Sequence, residues 1–221
     1  MISKCIIETQ YFPTIAWFVT GMEYGKIYID HAENYNKRSF RNKALLSGGG
    51  ESLMLSVPLK KGKHGGKNIA EIEIANEADW QLNHLRGIVS VYGKSPYFIH
   101  FIDQLEHVLM KPSTHLILLN KCLFDTVNGL LELQMDVLPQ EIFHKSSTNE
   151  IHVLRDEINI KGDFQDYEKQ LSDAMRSMIE QTHIPSTVTP RSSILDLLFH
   201  LGPETRIWLN RIVHSLRQQR N

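Results

Sequence analysis

The stretch KCIIETQYFPTIAWFVTGMEYGKIYID, residues 4–30, decides the fold class of this chain. Its apolar run at 5–7 predicts a buried strand, and a helix that opens at Pro13 is predicted over residues 14–22. A second strand is predicted at Lys26–Asp30, which is rich in β-branched and aromatic residues. Strand, helix and strand in this order favour parallel pairing, so the stretch predicts an α/β fold.

The rest of the chain separates into a β-rich part and a longer helical part. Further strands are predicted at 53–57, 69–74 and 139–143. Helices are predicted over 78–92, 96–110, 114–135, 166–181 and 193–201, and a last one from Pro203 onward. Segment 146–163 is polar and has no clear preference. We expect a single domain over residues 1–221, with a mixed sheet flanked by helices and a helix-rich C-terminal half.

The composition is that of an ordinary globular chain without a strong overall charge. Of its 221 residues, 42% are hydrophobic and 22% are charged, and the formal net charge is −1. No overall field therefore draws the chain to nucleic acid or to an anionic membrane. The apolar runs are too short to span a bilayer, and no signal-peptide pattern is visible. We expect a cytoplasmic protein without a nucleic-acid partner, and the sequence does not determine its oligomeric state.

No metal site is predicted, and no cofactor is identified. Cys5 and Cys122 match no metal or disulfide spacing, and we interpret both as buried free thiols in a reducing compartment. His100, Asp103 and His107 share one helical face, but their spacing differs from that of helical metal motifs. A polar solvent-facing surface is therefore the simpler interpretation of these three residues.

Segment 35–43 carries the strongest chemical signal and reads YNKRSFRNK. Its four cations are Lys37, Arg38, Arg41 and Lys43. Arginine grips two oxygens at once and lysine adds a mobile charge, so this pattern suits a phosphate-bearing ligand. The segment follows the strand that ends at Asp30, and open α/β sheets bind their ligands at such strand ends. A solvated, charged loop is the alternative interpretation.

Three more positions are candidates for contact with a substrate. Gln10 follows the first strand, where the next helix start offers unpaired N–H groups, and it can bind a substrate amide or ribose there. The alternative is that residues 11–13 only cap the core. Trp80 and His84 lie four residues apart on a predicted helix, and His84 is a candidate general acid or base. The alternative for His84 is a half-buried structural histidine.

Six motifs follow one another along the chain: QYFP at 10–13, YNKRSFRN at 35–42, VP at 57–58, WQLNH at 80–84, YGKSPYF at 92–98 and SILDLLFHLGP at 193–203. In this order they resemble the WbqC-like family of bacterial proteins. The resemblance implies a role in cell-surface polysaccharide biosynthesis, where an amino-acid transfer to an amino sugar has been suggested for some members. The chain departs from the family pattern at Lys43, a position often held by arginine, and segment 164–180 matches weakly. A weaker resemblance of the first 42 residues to nucleotidylyltransferase-like domains, which bind ATP, lacks their histidine signature.

Two functions stay open on the sequence alone. The first is group transfer on a small phosphorylated ligand, a nucleotide-sugar or an ATP-activated amino acid. In this scheme Lys37 and Arg41 neutralise phosphate charge and His84 carries the proton. The residues assigned to substrate binding are Gln10, Tyr35, Asn42 and Trp80. The scheme predicts that Arg41→Ala removes function without unfolding the chain. The second function is that of a non-catalytic binding or assembly protein with the same basic cleft.

Overall fold

A four-stranded parallel sheet organises the fold. The computed structural model describes residues 4–48, 50–148, 150–156 and 166–219. The strands of the main sheet are β1 (Lys4–Ile7), β2 (Lys26–Asp30), β5 (Asp136–Gln140) and β6 (Ile151–Val153), and a separate antiparallel hairpin contains β3 (Lys43–Leu46) and β4 (Leu53–Ser56). The predicted parallel pairing of the first two strands is confirmed, with Cys5 opposite Ile27.

The strand order β5-β2-β1-β6 reverses direction at β1. The chain moves from β1 to β2 and on to β5 on one side, and then crosses to place β6 on the other side of β1. Open α/β sheets bind ligands outside the carboxyl ends of their strands, next to such a reversal. The topology therefore predicts a binding site next to the carboxyl ends of β1 and β6.

Seven helices surround the sheets in the described part of the chain: α1 (Ile15–Tyr24), α2 (Trp80–Tyr92), α3 (Phe98–Leu109), α4 (Leu116–Leu130), α5 (Asp166–Ile179), α6 (Leu195–Leu201) and α7 (Glu204–Gln219). Helix α1 begins where the Thr14 hydroxyl accepts a hydrogen bond from the backbone N–H of Trp17, and it ends at Gly25 with φ +74°. It packs between β2 and α7 as the buried centre of the core. The predicted α/β class with a helix-rich C-terminal half is confirmed, but the parallel and antiparallel strands occupy two separate sheets.

The strand predicted at 69–74 is wrong. Residues Ile69–Glu71 form a 3₁₀ turn, in which the Asn68 side chain accepts a hydrogen bond from the backbone N–H of Ala70 at 2.7 Å. Beyond the turn, the segment pairs only through isolated bridges. The apolar residues are still buried, because the turn brings them to the core with a spacing that resembles strand alternation.

Several other boundaries differ from their predictions. Helix α3 starts at Phe98, and the structure shows no side-chain cap at Ser95-Pro96. Strand β5 starts at Asp136 and contains Pro139, which an edge strand tolerates. Strand β6 lies in the segment that had no clear preference, of which residues 157–163 are outside the described ranges.

The two cysteines have different environments. Cys5 is buried in β1 as predicted, and burial, with the charges of Glu8 and Glu23, raises the pKa of its thiol to about 12. Cys122 is exposed on α4, so the prediction of a buried thiol there is wrong. An apolar run in a helix still turns part of its circumference to solvent. Within the described ranges, none of the helices has the length and apolar character needed to cross a membrane.

Candidate functional site at the carboxyl ends of the parallel strands

Arg41 lies at the centre of the site and is completely buried. It sits in a 3₁₀ turn, Phe40–Asn42, at the end of the loop that follows β2. Its guanidinium donates to both carboxylate oxygens of Glu33, with Nε to Oε1 at 2.8 Å, and Nη1 donates to Asp156 Oδ1 at 2.8 Å. The guanidinium thus already holds carboxylate groups of the protein itself, in the two-pronged geometry that arginine forms with carboxylates.

Glu8 extends this arrangement to the end of β1. Its Oε1 accepts a hydrogen bond from Gln10 Nε2 at 2.7 Å, and its Oε2 accepts one from the backbone N–H of Asp156 at 3.2 Å. Because Asp156 follows β6, the contact joins the two strands between which the sheet order reverses. Glu8 and Glu33 are buried, whereas the Asp156 side chain is 43% exposed. Asp156 is therefore the carboxyl group of this set that reaches solvent.

A second arginine–carboxylate pair lies beside the first. Arg155 Nη1 donates to Oδ2 of Asp30, a fully buried residue at the end of β2. The Arg155 guanidinium also lies over the Phe143 ring, 4.3 Å from its centroid. We refer to Glu8, Asp30, Glu33, Arg41, Arg155 and Asp156 as the ion cluster. In the described part of the chain it contains more carboxyl groups than guanidinium groups.

Burial shifts the protonation equilibria of two carboxyl groups in the cluster, Glu8 and Glu33. Burial raises the pKa of Glu33 to about 7, even though the hydrogen bonds and charge of Arg41 act in the opposite direction. Burial likewise raises the pKa of Glu8. Burial alone would lower the pKa of Arg41, but the bonds and charge of Glu33 outweigh it, so the pKa is raised overall. The cluster thus contains a carboxyl group that can gain or lose a proton near neutral pH, as general acid–base catalysis requires.

An apolar pocket of about 100 Å³ adjoins the ion cluster. Its walls come from the ends of β1, β2 and β5, from the first turn of α1 and from α4, and include Pro13, Trp17, Ile29, Ile117, Phe124 and Pro139. Two side-chain amides line the pocket and also bind the cluster. Gln10 donates to Glu8, and Asn120 Nδ2 donates to the backbone carbonyl of Arg41 at 2.8 Å. A mostly apolar lining with a few polar groups is typical of small-molecule sites.

The start of α1 differs from what the sequence suggested. The backbone N–H of Thr14 donates to Gln10 Oε1 at 3.0 Å, and the N–H of Trp17 donates to the Thr14 hydroxyl. The N–H groups of Ile15 and Ala16 donate to carbonyls of the segment before α6. The expectation of unpaired N–H groups at this helix start is therefore wrong, because the C-terminal part of the chain covers it. Gln10 is fixed at both ends of its amide beside the pocket.

The predicted basic residues separate in the structure. Arg41 is buried in the ion cluster, but Lys37 and Arg38 are exposed on the same loop. Lys43 is half-buried, and its Nζ lies 3.4 Å from the backbone carbonyl of Lys37. The segment thus has one cation that organises carboxylates and two that face solvent.

Tyr35 and Asn42 connect the loop to the β3–β4 hairpin. The Tyr35 hydroxyl donates to Asn42 Oδ1 at 2.9 Å, and Asn42 Nδ2 donates to the backbone carbonyl of Val57 at 2.9 Å. Burial raises the pKa of Tyr35 to about 12. These contacts fix the turn that contains Arg41, so Tyr35 and Asn42 stabilise the position of Arg41 in the ion cluster.

His84 belongs to α2, and its side chain is buried against the turn after β1. Its Nδ1 is 2.9 Å from the Tyr11 hydroxyl, and its ring meets the Trp80 ring edge-on with 5.1 Å between centroids. Burial lowers the pKa of His84 to about 4, although a hydrogen bond to the Ser56 backbone acts in the opposite direction. The imidazole is therefore neutral at physiological pH. Trp80 is also buried and donates from Nε1 to Asn76 Oδ1 at 3.2 Å. This geometry favours the structural interpretation of both residues.

Sequence reasoning missed Glu8, Glu33, Asn120 and Asp156. The available signal was weak: Glu8 directly follows the first apolar strand, where α/β folds place polar groups. Two of the four side-chain-bearing residues with positive φ in the described ranges lie in this region, Phe12 at +42° and Asp156 at +60°. Such values are rare for side-chain-bearing residues, and they concentrate at functional sites.

The fold and the site define an α/β protein with an apolar pocket beside a buried ion cluster. The sequence pattern of the WbqC-like protein family matches residues 9–164, which is most of the chain, and the protein belongs to this family. The matched range contains the pocket residues Gln10 and Asn120 and the cluster residues Arg41 and Asp156. Comparison with curated proteins found no match, and neither did comparison with solved structures. In the described ranges, no group of three or more His, Cys, Asp or Glu residues is arranged to hold a metal ion.

Proposed function

We propose that this WbqC-like protein is a group transferase that acts on a phosphate-bearing small molecule, a nucleotide-sugar or an ATP-activated amino acid, in cell-surface polysaccharide biosynthesis. One observation carries the proposal: Glu8, Glu33 and Asp156 meet around Arg41, and the lining residues Gln10 and Asn120 connect this cluster to the apolar pocket. Because burial raises the pKa of Glu33 to about 7, the cluster can exchange a proton during transfer at neutral pH.

The roles of the cluster follow from exposure. Asp156, the partly exposed carboxylate, accepts the proton of the attacking hydroxyl or amine while that atom forms its bond to the transferred group. The bond to the leaving group breaks in the same step, and the leaving group departs with the electron pair. Arg41 positions Asp156 and Glu33 and opposes the rise that burial causes in the pKa of Glu33, in place of the direct phosphate contact that the sequence suggested.

The phosphate contact falls to the exposed cations of the same loop. Lys37 and Arg38 are free to move toward an anionic group, and each adds a favourable charge interaction as negative charge develops. Gln10 orients the substrate at the pocket wall. His84 keeps a structural role in this scheme, because its ring is buried against Tyr11 and Trp80.

The test is a transfer assay read by mass spectrometry, with nucleoside triphosphates or nucleotide-sugars as donors and amino acids or amino sugars as acceptors. We expect Glu33→Gln and Asp156→Asn to lower turnover about 100-fold or more while donor binding persists, because proton transfer typically contributes that much. Glu106→Gln, a change of the same chemistry at an exposed position on α3, serves as the control. Full turnover in both cluster variants would sink the proposal.

A non-catalytic binding or assembly protein is the second candidate. It is favoured by the burial of His84 and by the saturation of the Arg41 guanidinium with carboxylates of the protein. This candidate predicts that ligands raise the melting temperature by mass action but are recovered chemically unchanged. A donor that binds without turnover, with any acceptor of the panel, would select it over the transferase.

A further inference from the structure

We propose that the apolar pocket binds a nucleobase that carries an amino group, and that Asn120 Oδ1 accepts a hydrogen bond from that amino group. This inference rests on the proposed function, because it takes the phosphate-bearing substrate to be a nucleotide. It adds which part of the substrate enters the pocket and which atom recognises it.

The first observation is an unsatisfied acceptor in the pocket wall. Asn120 is 1% exposed, and within the described ranges its Oδ1 has no hydrogen-bond partner. Buried polar atoms are nearly always paired in folded proteins, and an unpaired one is costly. A ligand that brings a donor to this oxygen therefore gains a bond that the protein does not otherwise make.

The orientation of the Asn120 amide is determined by its other end. Nδ2 donates to the backbone carbonyl of Arg41 at 2.8 Å, and a flipped amide would bring two oxygens together there. Oδ1 is consequently the atom left for a ligand, and it can only accept. A carboxylate or carbonyl of a ligand is thus excluded from this position, whereas an N–H group fits.

The walls of the pocket suit a flat ring. Trp17 and Phe124 stand edge-on with 5.3 Å between their ring centroids, and Pro13, Ile117 and Pro139 complete an apolar lining. Nucleobases present apolar faces to such walls and hydrogen-bonding groups only at their edges. Adenine, cytosine and guanine each carry an exocyclic amino donor, which the acceptor at Asn120 can read.

The rim of the pocket suits the phosphate end of the same molecule. Lys121 pairs with Asp125 at 2.6 Å on the exposed surface of α4, and half-buried His31, whose Nδ1 lies 3.3 Å from Glu141 Oε1, also lines the pocket. Exposed ion pairs of this kind contribute little to stability, so Lys121 can exchange its partner for a phosphate and add to the phosphate contacts proposed for Lys37 and Arg38. Gln10 and Asn120 line the pocket and also bond residues of the ion cluster, so the proposed base pocket and the proposed reactive groups share two residues.

The experiment compares two nucleosides that differ only in the amino group: adenosine and purine riboside, measured by isothermal titration calorimetry with the wild-type protein. We expect adenosine to bind roughly tenfold more tightly, as one additional hydrogen bond to a buried acceptor allows. This comparison needs no substitution and does not depend on the folding of a variant.

Two variants assign the preference to its residue. In Asn120→Ala we expect the two nucleosides to bind equally. In Asn128→Ala, a change on the same helix at an amide that bonds the Met135 backbone, we expect the preference to persist. Equal affinity of the two nucleosides for the wild-type protein would overturn the inference. So would a preference that survives Asn120→Ala, or the absence of binding by either nucleoside.

The outcomes separate this inference from the proposed function. Discrimination between the nucleosides without any transfer activity leaves the nucleobase pocket standing and refutes the transferase. Transfer activity without discrimination refutes the nucleobase assignment and leaves the transferase standing, because turnover and base recognition are measured independently.

Discussion

Replacing Arg41 by alanine tests the central claim about the ion cluster. The change removes a fully buried guanidinium that makes bonds to Glu33 and Asp156, and it leaves Glu33 and Glu8 buried without their countercharge. Removal of one partner of a buried ion pair typically costs about 3–5 kcal/mol, because the remaining charge cannot return to water. We therefore expect Arg41→Ala to lower the free energy of unfolding by about that amount at pH 7.5.

The expected loss depends on pH in a defined direction. Without Arg41, burial raises the pKa values of Glu8 and Glu33 further above their unfolded values. A group whose folded pKa is raised contributes stability at low pH that is lost as the pH rises through that pKa. The difference in the free energy of unfolding between wild type and Arg41→Ala should thus decrease as the pH falls from 8 to 5.

The assay is equilibrium unfolding in urea at pH 7.5 for the size of the loss, and at pH 8 and pH 5 for its pH dependence. Arg38→Ala, an exposed arginine of the same loop, is the matched control and should stay within about 0.5 kcal/mol of wild type. Adding Glu33→Gln to Arg41→Ala should recover part of the loss, because it removes a stranded charge. If the free energy of unfolding of Arg41→Ala lies within about 1 kcal/mol of the wild-type value at pH 7.5, the ion cluster does not stabilise the loop. The sequence-based expectation that Arg41→Ala leaves the chain folded would then be correct.

Three further predictions concern single titratable or hydrogen-bonded groups. Because the folded pKa of Glu33 is about 7, above its ordinary value of 4.5, its contribution to stability is present below pH 4.5 and lost through pH 7. Glu33→Gln should therefore make the free energy of unfolding depend less steeply on pH between pH 5 and 8 than it does in the wild type. An unchanged pH dependence would contradict the raised pKa of Glu33. Tyr11→Phe leaves Nδ1 of buried His84 without its hydrogen-bond partner, so it should lower the free energy of unfolding in urea by about 1–3 kcal/mol. Turnover should be retained. A loss of turnover at unchanged stability would instead support His84 as a proton carrier. Asp196 accepts hydrogen bonds from the Tyr92 hydroxyl and the Ser47 backbone, so Asp196→Asn should lower the melting temperature, and Tyr92→Phe should lower it less; the reverse order would argue against this network.

The secondary structure near the start of the chain was predictable because its signals are local. The β-branched and aromatic residues of β2 and the proline before α1 are contained in 4–30, and each signal acts over a few residues. The strand at 69–74 was not predictable in this way. Its isoleucines reach the core from a 3₁₀ turn that the Asn68 side chain stabilises, and strand-like spacing alone does not distinguish the two conformations.

The candidate site was predictable only in its location. The basic segment after β2 does lie at the carboxyl edge of the sheet, and Gln10 does line the pocket, as the order of strand, helix and strand implied. The state of each side chain was not predictable. Arg41 and Lys37 look alike in sequence, but one is buried against carboxylates and the other is exposed.

The sequence by itself determined the α/β class, the early strands and helices, the family and the place where the basic loop would lie. The tertiary structure alone decided that Arg41 binds Glu33 and Asp156, and that Glu8 meets Asp156 across 148 positions of the chain. The physical reason is range: hydrophobic periodicity and capping act over a few neighbouring residues. The partner of a buried charge is instead chosen by strand order, which brings the distant ends of β1 and β6 together.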